Sequence, residues 1–443
     1  MVVEICGVGG YNEIGRNMTA IKIDDEVIIC DMGIHLEHYI RYTEEEDIKN
    51  FSKQELIDEN VVPDITAISN WKKMVKEIVP THAHLDHIGA IPFLSDEFKC
   101  PIICTPFSKA VLNAILKDEK IRLKNRILSL NPNSKYRISK NITIEFIDIT
   151  HSTPQTVMIA LHTKYGIIIY SNDFKFDRSP IIGKPPNFQK LKSLGKKGVL
   201  CLIVDSTYAY DERKMPSEAV AKQMLKDVLL GTDATGKIII ITTFSSHLAR
   251  LKTIIELGKK LGRKIIFLGR SLAKYVNAGE EVGIIDFTKD IELIGYRNQI
   301  DRKLGKIKDS ERGKYLLVVT GHQGEPKAIL SRIANGETSL KLMPEDHVIF
   351  SCTTIPSETN INNRKNLEAA LKKYKVRIFK DIHVSGHAAR EDLRDLLRFT
   401  NPQHIIPAHG ERFMTESLKD LAEEMDFKDI HLLDDKEFVL IQK

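Results

Sequence analysis

Between Thr81 and Gly89 the chain reads Thr-His-Ala-His-Leu-Asp-His-Ile-Gly, with three histidines and an aspartate in the six residues from His82 to His87. In an extended segment alternate side chains face the same way, so His82 and His84 project together. Asp86 and His87 follow as the chain turns into its next element and reach the same space from another direction. Neutral imidazole and carboxylate are good ligands for first-row metals, and Zn²⁺ is the natural first choice. Four such groups exceed what one ion with an open position needs, which points to two metals. A solvated histidine-rich turn would account for one His-x-His pair but poorly for His-x-His-x-Asp-His.

Five more polar residues stand directly after apolar runs that read as strands: Asp31, His151, Asp173, Asp205 and His409. Singly, each is ordinarily a turn residue or helix cap. Taken in series with the His82 cluster, they describe polar groups gathered at the ends of strands.

The strands that would carry them are predicted at 2–6, 19–23, 26–30, 142–148, 156–162, 166–171 and 199–204, with an amphipathic helix over 106–118. The charged, weakly periodic residues 36–60 read as a surface insertion. From about 210 to 380 the style changes. Predicted strands at 237–241, 264–268, 315–319 and 347–350 alternate with helical stretches near 215–229, 246–261, 325–334 and 358–372. That alternation predicts a doubly wound, mainly parallel sheet. The motif-bearing style then resumes with His383-Val-Ser-Gly-His387 and Pro407-Ala-His-Gly-Glu411. The expected organisation is therefore a first domain over 1–208, an inserted α/β domain over 209–379, and a closing part of the first domain over 380–443.

The 443 residues suffice for two or three domains with full cores, and 42% apolar with 28% charged residues describes an ordinary globular protein. A net charge of +5 permits an acidic partner without demanding one. With no run of 18 apolar residues and no basic-then-apolar start, the expectation is a cytoplasmic protein without a membrane partner. The six cysteines match no zinc or redox spacing and read as buried free thiols in a reducing compartment. An Ile-, Lys- and Glu-rich, Gln-poor composition hints at a thermophilic source.

The series Asp31, His82-x-His84-x-Asp86-His87, His151, Asp173 resembles the signature of the metallo-β-lactamase fold in its hydrolase branch. Asp205, His387 and His409 look like the three extra motifs of the β-CASP nucleases. Within that group, Gly-Gly-Tyr-Asn-Glu-Ile-Gly-Arg-Asn-Met, Asp-Phe-Lys-Phe-Asp, Gly-His-Gln-Gly-Glu-Pro and Val-Ser-Gly-His-Ala are most similar to the ribonuclease J branch, in its shorter archaeal type. The resemblance spans essentially the whole chain. It implies an αββα metallo-β-lactamase sandwich with an inserted β-CASP domain. It also implies a two-metal ribonuclease, with Zn²⁺ first and Mn²⁺ or Mg²⁺ as other occupants. His82, His84 and His151 would hold one ion, Asp86, His87 and His409 the other, and Asp173 would bridge. Asp86, Asp173 and His387 are the expected catalytic set, with His387 binding the scissile phosphate or protonating the leaving oxygen. Asp31 and Asp205 would fix histidine tautomers.

The substrate implied is single-stranded RNA, degraded 5′→3′ from a 5′-monophosphate, possibly with internal cutting, by a homodimer. Ser245, Ser246, His247, His322, Gln323, Ser385, Gly386 and His387 are the expected phosphate and RNA contacts. Gly321–Pro326, read as opening a helix, would offer a cradle of backbone N–H groups. The basic run Arg297–Lys314 reads as either a phosphate track or a solvated face. Asn172, Gln155, Tyr208, His247 and His322 depart from the family's usual residues. The main rival is an RNA endonuclease of the cleavage and polyadenylation type. A small-molecule metallohydrolase is more distant, since the inserted domain and the late His387 and His409 argue against it. A DNA-directed nuclease is a further alternative, and a non-enzymatic RNA-binding module is disfavoured because no ligand residue is lost.

Overall fold

Strands form where β-branched apolar residues run without interruption. Every residue of Val199–Asp205 and of Glu26–Cys30 is buried, as expected of strands covered on both faces. A computed structural model describes residues 3–45 and 51–442 and divides into two compact units.

The first unit comprises Met1–Arg178, Lys184–Met215 and Ser385–Lys443. Its first sheet runs in the order Glu437–Ile441, Val3–Gly9, Met18–Ile23, Glu26–Cys30, Val75–Val79, Ile102–Cys104, Ile127–Ser129. The second runs Asp429–Ile430, His404–Ala408, Val199–Asp205, Gly166–Ser171, Val157–Thr163, Thr143–Asp148, Lys135–Arg137. Ile5, Ile21 and Ile28 of the first sheet share one core with Phe146, Ile159 and Ile203 of the second. On its other face the second sheet packs Ile169 and Leu202 against Leu191, Leu396 and Leu418, which lie on the helices Phe188–Lys197, Arg390–Thr400 and Arg412–Glu424. The layers are those of an αββα sandwich. All six cysteines are free and buried, and burial pushes the thiols of Cys6, Cys100 and Cys104 up to about 12.

The second unit, Ser179–Gly183 with Pro216–Val384, lies within the first along the chain. Its sheet is wholly parallel, in the order Glu292–Ile294, Lys264–Leu268, Tyr315–Val319, Ile239–Thr242, His347–Phe350, Arg377–Phe379. The unit boundaries fall at 215/216 and 384/385, beside the division at 208/209 and 379/380 drawn from sequence.

Within the stretch 36–60, read from sequence as a surface insertion, Leu36–Glu45 and Lys53–Asp58 are helical; residues 46–50 lie outside the described residues. Ser52 caps the second of these helices, with Glu55 completing a capping box. The helix expected from 325 begins only at Ile329 and ends at Ala334. Pro326 and the turn closed by Gly324 N–H on Gly321 C=O delay it, so Gly321–Pro326 does not open on a helix N-terminus.

Candidate metal centre

Parallel pairing sets the ends of several strands side by side in the first unit. Cys30 pairs with Val79, so Asp31 and the turn carrying His82 and His84 leave the first sheet together. Ser171 pairs with Val204, and Asp205 with Ala408, which aligns Asp173, Asp205 and His409 along the second sheet. His84 stands just before the one-turn helix Leu85–Ile88, which carries Asp86 and His87. Met32 and Ile34 N–H donate to the carbonyls of His87 and Leu85, which lashes that turn to the segment after Asp31. The approach is so close that a Cβ on Gly33 would lie 1.6 Å from the Asp86 carbonyl oxygen. Asp31 (φ 59°) and His409 (φ 52°) both adopt the left-handed conformation that non-glycine residues avoid. Such strain persists where the surroundings over-determine it, as at functional sites.

Two groups of ligand atoms result, one of His82, His84, His151 and Asp173, the other of Asp86, His87, Asp173 and His409. In the first, His84 Nδ1 lies 3.0 Å from His82 Nε2 and 3.2 Å from His151 Nε2. Asp173 Oδ2 is 3.6 Å from His82 Nε2 and 3.6 Å from His151 Nε2. In the second, Asp173 Oδ1 lies 3.2 Å from His87 Nε2 and 3.4 Å from His409 Nε2. Asp86 Oδ2 lies 3.6 Å from His87 Nε2 and 3.9 Å from His409 Nε2. Tetrahedral ligands about 2.0–2.1 Å from a zinc ion stand roughly 3.4 Å apart, so both groups match such an ion. Asp173 Oδ1 is moreover buried without a hydrogen-bond partner, a costly state for a carboxylate that a cation between these atoms would relieve.

The remaining ring nitrogens are held from behind, as in metal-binding histidines. His87 Nδ1 is 2.7 Å from Asp31 Oδ2, and His409 Nδ1 is 2.7 Å from Asn17 Oδ1. His151 Nδ1 is 2.8 Å from the Gly386 carbonyl, and His84 Nε2 is 3.2 Å from Ser152 Oγ. Gly386 makes its contact because it is glycine: an added Cβ would meet His151 Cε1 and Nδ1 at 2.8 Å. The Gly386 carbonyl thus orients the His151 ring, a contact beside the phosphate or RNA contact expected of Gly386 from sequence.

Electrostatics separates the histidines. Burial depresses His82 and His151 well below the ordinary imidazole range and His84 to about 4, leaving neutral rings suited to ligation. At His87 burial acts in the same sense but is outweighed by Asp173, Asp31 and Asp86, which raise it. At Asp173 burial is overcome by His409, His87 and His387, and the carboxylate is held ionised.

His387 belongs to a third grouping with Asp205 and His409. Its Nδ1 is engaged 2.9 Å from Asp205 Oδ2, while its Nε2 stands 3.8 Å from Asp173 Oδ2. Burial lowers its pKa, but Asp173 and Asp205 outweigh that and raise it to about 9. Ser385 Oγ accepts from the His387 N–H, and the Ser385 carbonyl accepts from Lys175 Nζ at 3.0 Å.

The other expected RNA contacts lie in the second unit. His247 accepts from Arg250 N–H as the cap of helix Leu248–Lys260 and sits 3.3 Å from Glu218. Gln323 spans its loop, donating to Thr353 O and accepting from Ile355 N–H. Ser246 is buried, Ser245 half-buried, and the His322 ring packs 4.3 Å from that of Phe244. In the basic run, Lys303 pairs with Glu292, Arg312 with Asp346 and Lys314 with Glu311, so three of its seven basic residues are engaged locally.

Sequence reasoning passed over Asn17 and Thr81 as site residues. Asn17 holds His409 and also donates to the Asp86 carbonyl at 3.0 Å; Thr81 N–H and Oγ1 donate to Asp31 Oδ1 at 2.8 and 2.7 Å. Both stand within motifs already quoted, at the ends of segments that carry ligands or their supports.

Comparison with known proteins agrees over the whole chain. Residues 12–198 match the metallo-beta-lactamase superfamily, 236–367 the ribonuclease J beta-CASP domain, and 373–433 a Zn-dependent metallo-hydrolase RNA specificity domain. A ribonuclease J of Methanocaldococcus jannaschii is 44% identical over 98% of this chain and 97% of its own. That of Pyrococcus abyssi is 42% identical over 96% and 93%. The chain belongs to the ribonuclease J family. A bacterial member, ribonuclease J 1 of Streptococcus pyogenes, is 34% identical over 95% of this chain but only 70% of its own length. A crystal structure of an Enterococcus faecalis protein of unknown function shares the fold, with a TM-score of 0.66 at 17% identity over 99% of this chain and 100% of that one.

Proposed function

We propose that the protein is a metal-dependent ribonuclease that hydrolyses phosphodiesters of single-stranded RNA and proceeds 5′→3′ from a 5′-monophosphate. One observation carries the two-metal part: the two oxygens of Asp173 face different histidine sets, Oδ2 toward His82 and His151, Oδ1 toward His87 and His409. A carboxylate so placed is suited to bridge two cations. His82, His84 and His151 would hold the first, and Asp86, His87 and His409 the second, Zn²⁺ being the preferred occupant on donor type. Bound divalent cations supply charge neutralisation for the phosphodiester and make water acidic enough to serve as nucleophile near neutral pH.

His387 binds the scissile phosphate and gives a proton from Nε2 to the leaving oxygen, while Asp205 holds Nδ1 and so fixes the tautomer. Asp31, Asn17 and the Gly386 carbonyl keep the ligand rings in place. The RNA preference is supported by the names of the relatives. Ser245, Ser246, His247, His322, Gln323 and Ser385 remain the proposed contacts to RNA, with His247 and Gln323 acting through their loops because their side chains are engaged. The active form is proposed to be a homodimer. No helix among the described residues is long and apolar enough to cross a membrane.

The test uses one RNA labelled at either end and bearing a 5′-monophosphate or a 5′-triphosphate. Mononucleotide released from the 5′ label only with the monophosphate is the expected result. Internal fragments irrespective of the 5′ group would replace the exonuclease reading with the endonuclease one. Cleavage surviving in His84→Ala would overturn the two-metal mechanism.

A further inference from the structure

Beside the metal centre, the first unit carries an aromatic series that no ligand or support role uses. The Tyr208 ring lies 6.1 Å from that of His387, Tyr210 stacks on Tyr208 at 6.0 Å with 27° between planes, and Phe413 follows 5.5 Å from Tyr210. Tyr208 is half-buried, but Tyr210 and Phe413 are each 48% exposed, so the series runs from the half-buried His387 to open surface. Among the described residues, these three rings are not part of the cores gathered around Ile159, Ile169 or Ile240. Leaving two large rings half in water forgoes roughly 1–2 kcal/mol of burial each, which folding alone does not explain.

The base of the series is stiff. Asp211 N–H donates to the Tyr208 carbonyl at 3.1 Å, closing a turn, and Arg390 N–H donates to the Asp211 carbonyl at 3.0 Å. Tyr208 also pairs with Ala389 as an isolated bridge, and the Arg390 guanidinium donates to Ser417 O at 3.0 Å, which ties the turn to the helix bearing Phe413. Rings held by backbone in this way lose little freedom when something stacks on them.

We propose that Tyr208, Tyr210 and Phe413 form a stacking platform for the bases of single-stranded RNA next to the phosphodiester being cut. The proposal rests on the ribonuclease reading above and adds how bases, rather than phosphates, are held at that site. Continuity with His387 selects this occupant: a strand whose phosphate sits at His387 brings its neighbouring bases over the series. At spacings of 5.5–6.1 Å the rings already touch one another, so bases stack on their outward faces and not between them. Stacking of this kind tolerates any sequence, because every base has a π-face.

The test measures KM and kcat of the metal-loaded enzyme on two single-stranded RNAs of equal length, one complete and one lacking bases over the nucleotides nearest the cut. Wild type is expected to show a KM about tenfold lower for the complete RNA. Tyr210→Ala abolishes that difference with kcat changed less than about threefold, Tyr210→Phe retains it, and Phe413→Ala reduces it by about threefold. A wild type indifferent to the missing bases, or a Tyr210→Ala enzyme that keeps the tenfold preference, overturns the platform while leaving the ribonuclease reading intact. If wild type cuts neither RNA, the ribonuclease reading fails and the platform with it. Should Tyr210→Ala not fold, Phe413→Ala decides the matter, an unchanged preference counting against the proposal.

Discussion

Arg250 in the second unit and Asp173 in the first are both fully buried charges, and their surroundings treat that burial in opposite ways. Arg250 meets Glu218 through Nε and Nη2, while Nη1 donates to Ser351 O, Ser351 Oγ and Ile382 O. Each of its nitrogens has an acceptor. Asp173 is ringed by ligating groups, yet its Oδ1 has no hydrogen-bond partner. His82 Nε2, His84 Nδ1 and His151 Nε2 converge beside it, and all three rings are depressed by burial. The charge of Arg250 is thus closed internally, whereas that of Asp173 is left open where the surrounding groups suit a cation. The first arrangement is worth stability and the second is worth chemistry.

That contrast can be broken at its closed side. Glu218→Ala leaves Arg250 buried without its carboxylate, and is expected to destabilise the second unit by about 3–5 kcal/mol. Thermal unfolding of the variant should begin on the order of 10 °C lower; an unchanged transition would show that the pair does not hold the unit together. At the open side, Gly386→Ala drives a Cβ into the His151 ring without removing any donor. A loss of about 10–100-fold in metal affinity or activity is expected, with melting little altered. Wild-type affinity in that variant would deny Gly386 its part in orienting the ligand.

The smallest effect concerns a buried carboxylate that is neither closed nor open to a cation. Glu77 is buried, its Oε2 lacks a partner, and burial raises its pKa to about 8. The folded state therefore binds more protons than the unfolded one between the ordinary carboxylate value and about pH 8, and stability falls as pH rises through that window. Glu77→Gln should stabilise by about 1–2 kcal/mol at pH 9 and gain little at pH 4. Denaturant melts at the two pH values check this, and an equal gain at both would contradict it.

What the sequence revealed and what it concealed have physical reasons. Strands such as Gly166–Ser171, Lys264–Leu268 and Tyr315–Val319 were legible because buried strands need short continuous apolar runs, and helix Pro106–Asp118 because its apolar face repeats with helical period. The His82–His87 cluster was legible because metal ligation concentrates rare residues at short spacing. Asn17 and Gly386 were concealed because their partners, His409 and His151, are separated from them by hundreds of residues. A glycine chosen for the room it leaves carries no chemical mark in the sequence. The late start of helix Ile329–Ala334 turned on a local contest between the Gly321–Gly324 turn, Pro326 and an apolar pattern that favours helix on either side. Tyr208 was noticed as a departure from family pattern, but its stacking on Tyr210 and Phe413 needed the fold.

The most direct test of the two-cation centre counts the metal. Protein loaded with Zn²⁺ and dialysed is analysed for metal per chain in wild type, His151→Ala and His409→Ala. Two ions in the wild type and one in each variant is the expected result, since each substitution strips one side of Asp173. A single ion in the wild type, or loss of both ions from either variant, would contradict two separately held cations sharing that carboxylate.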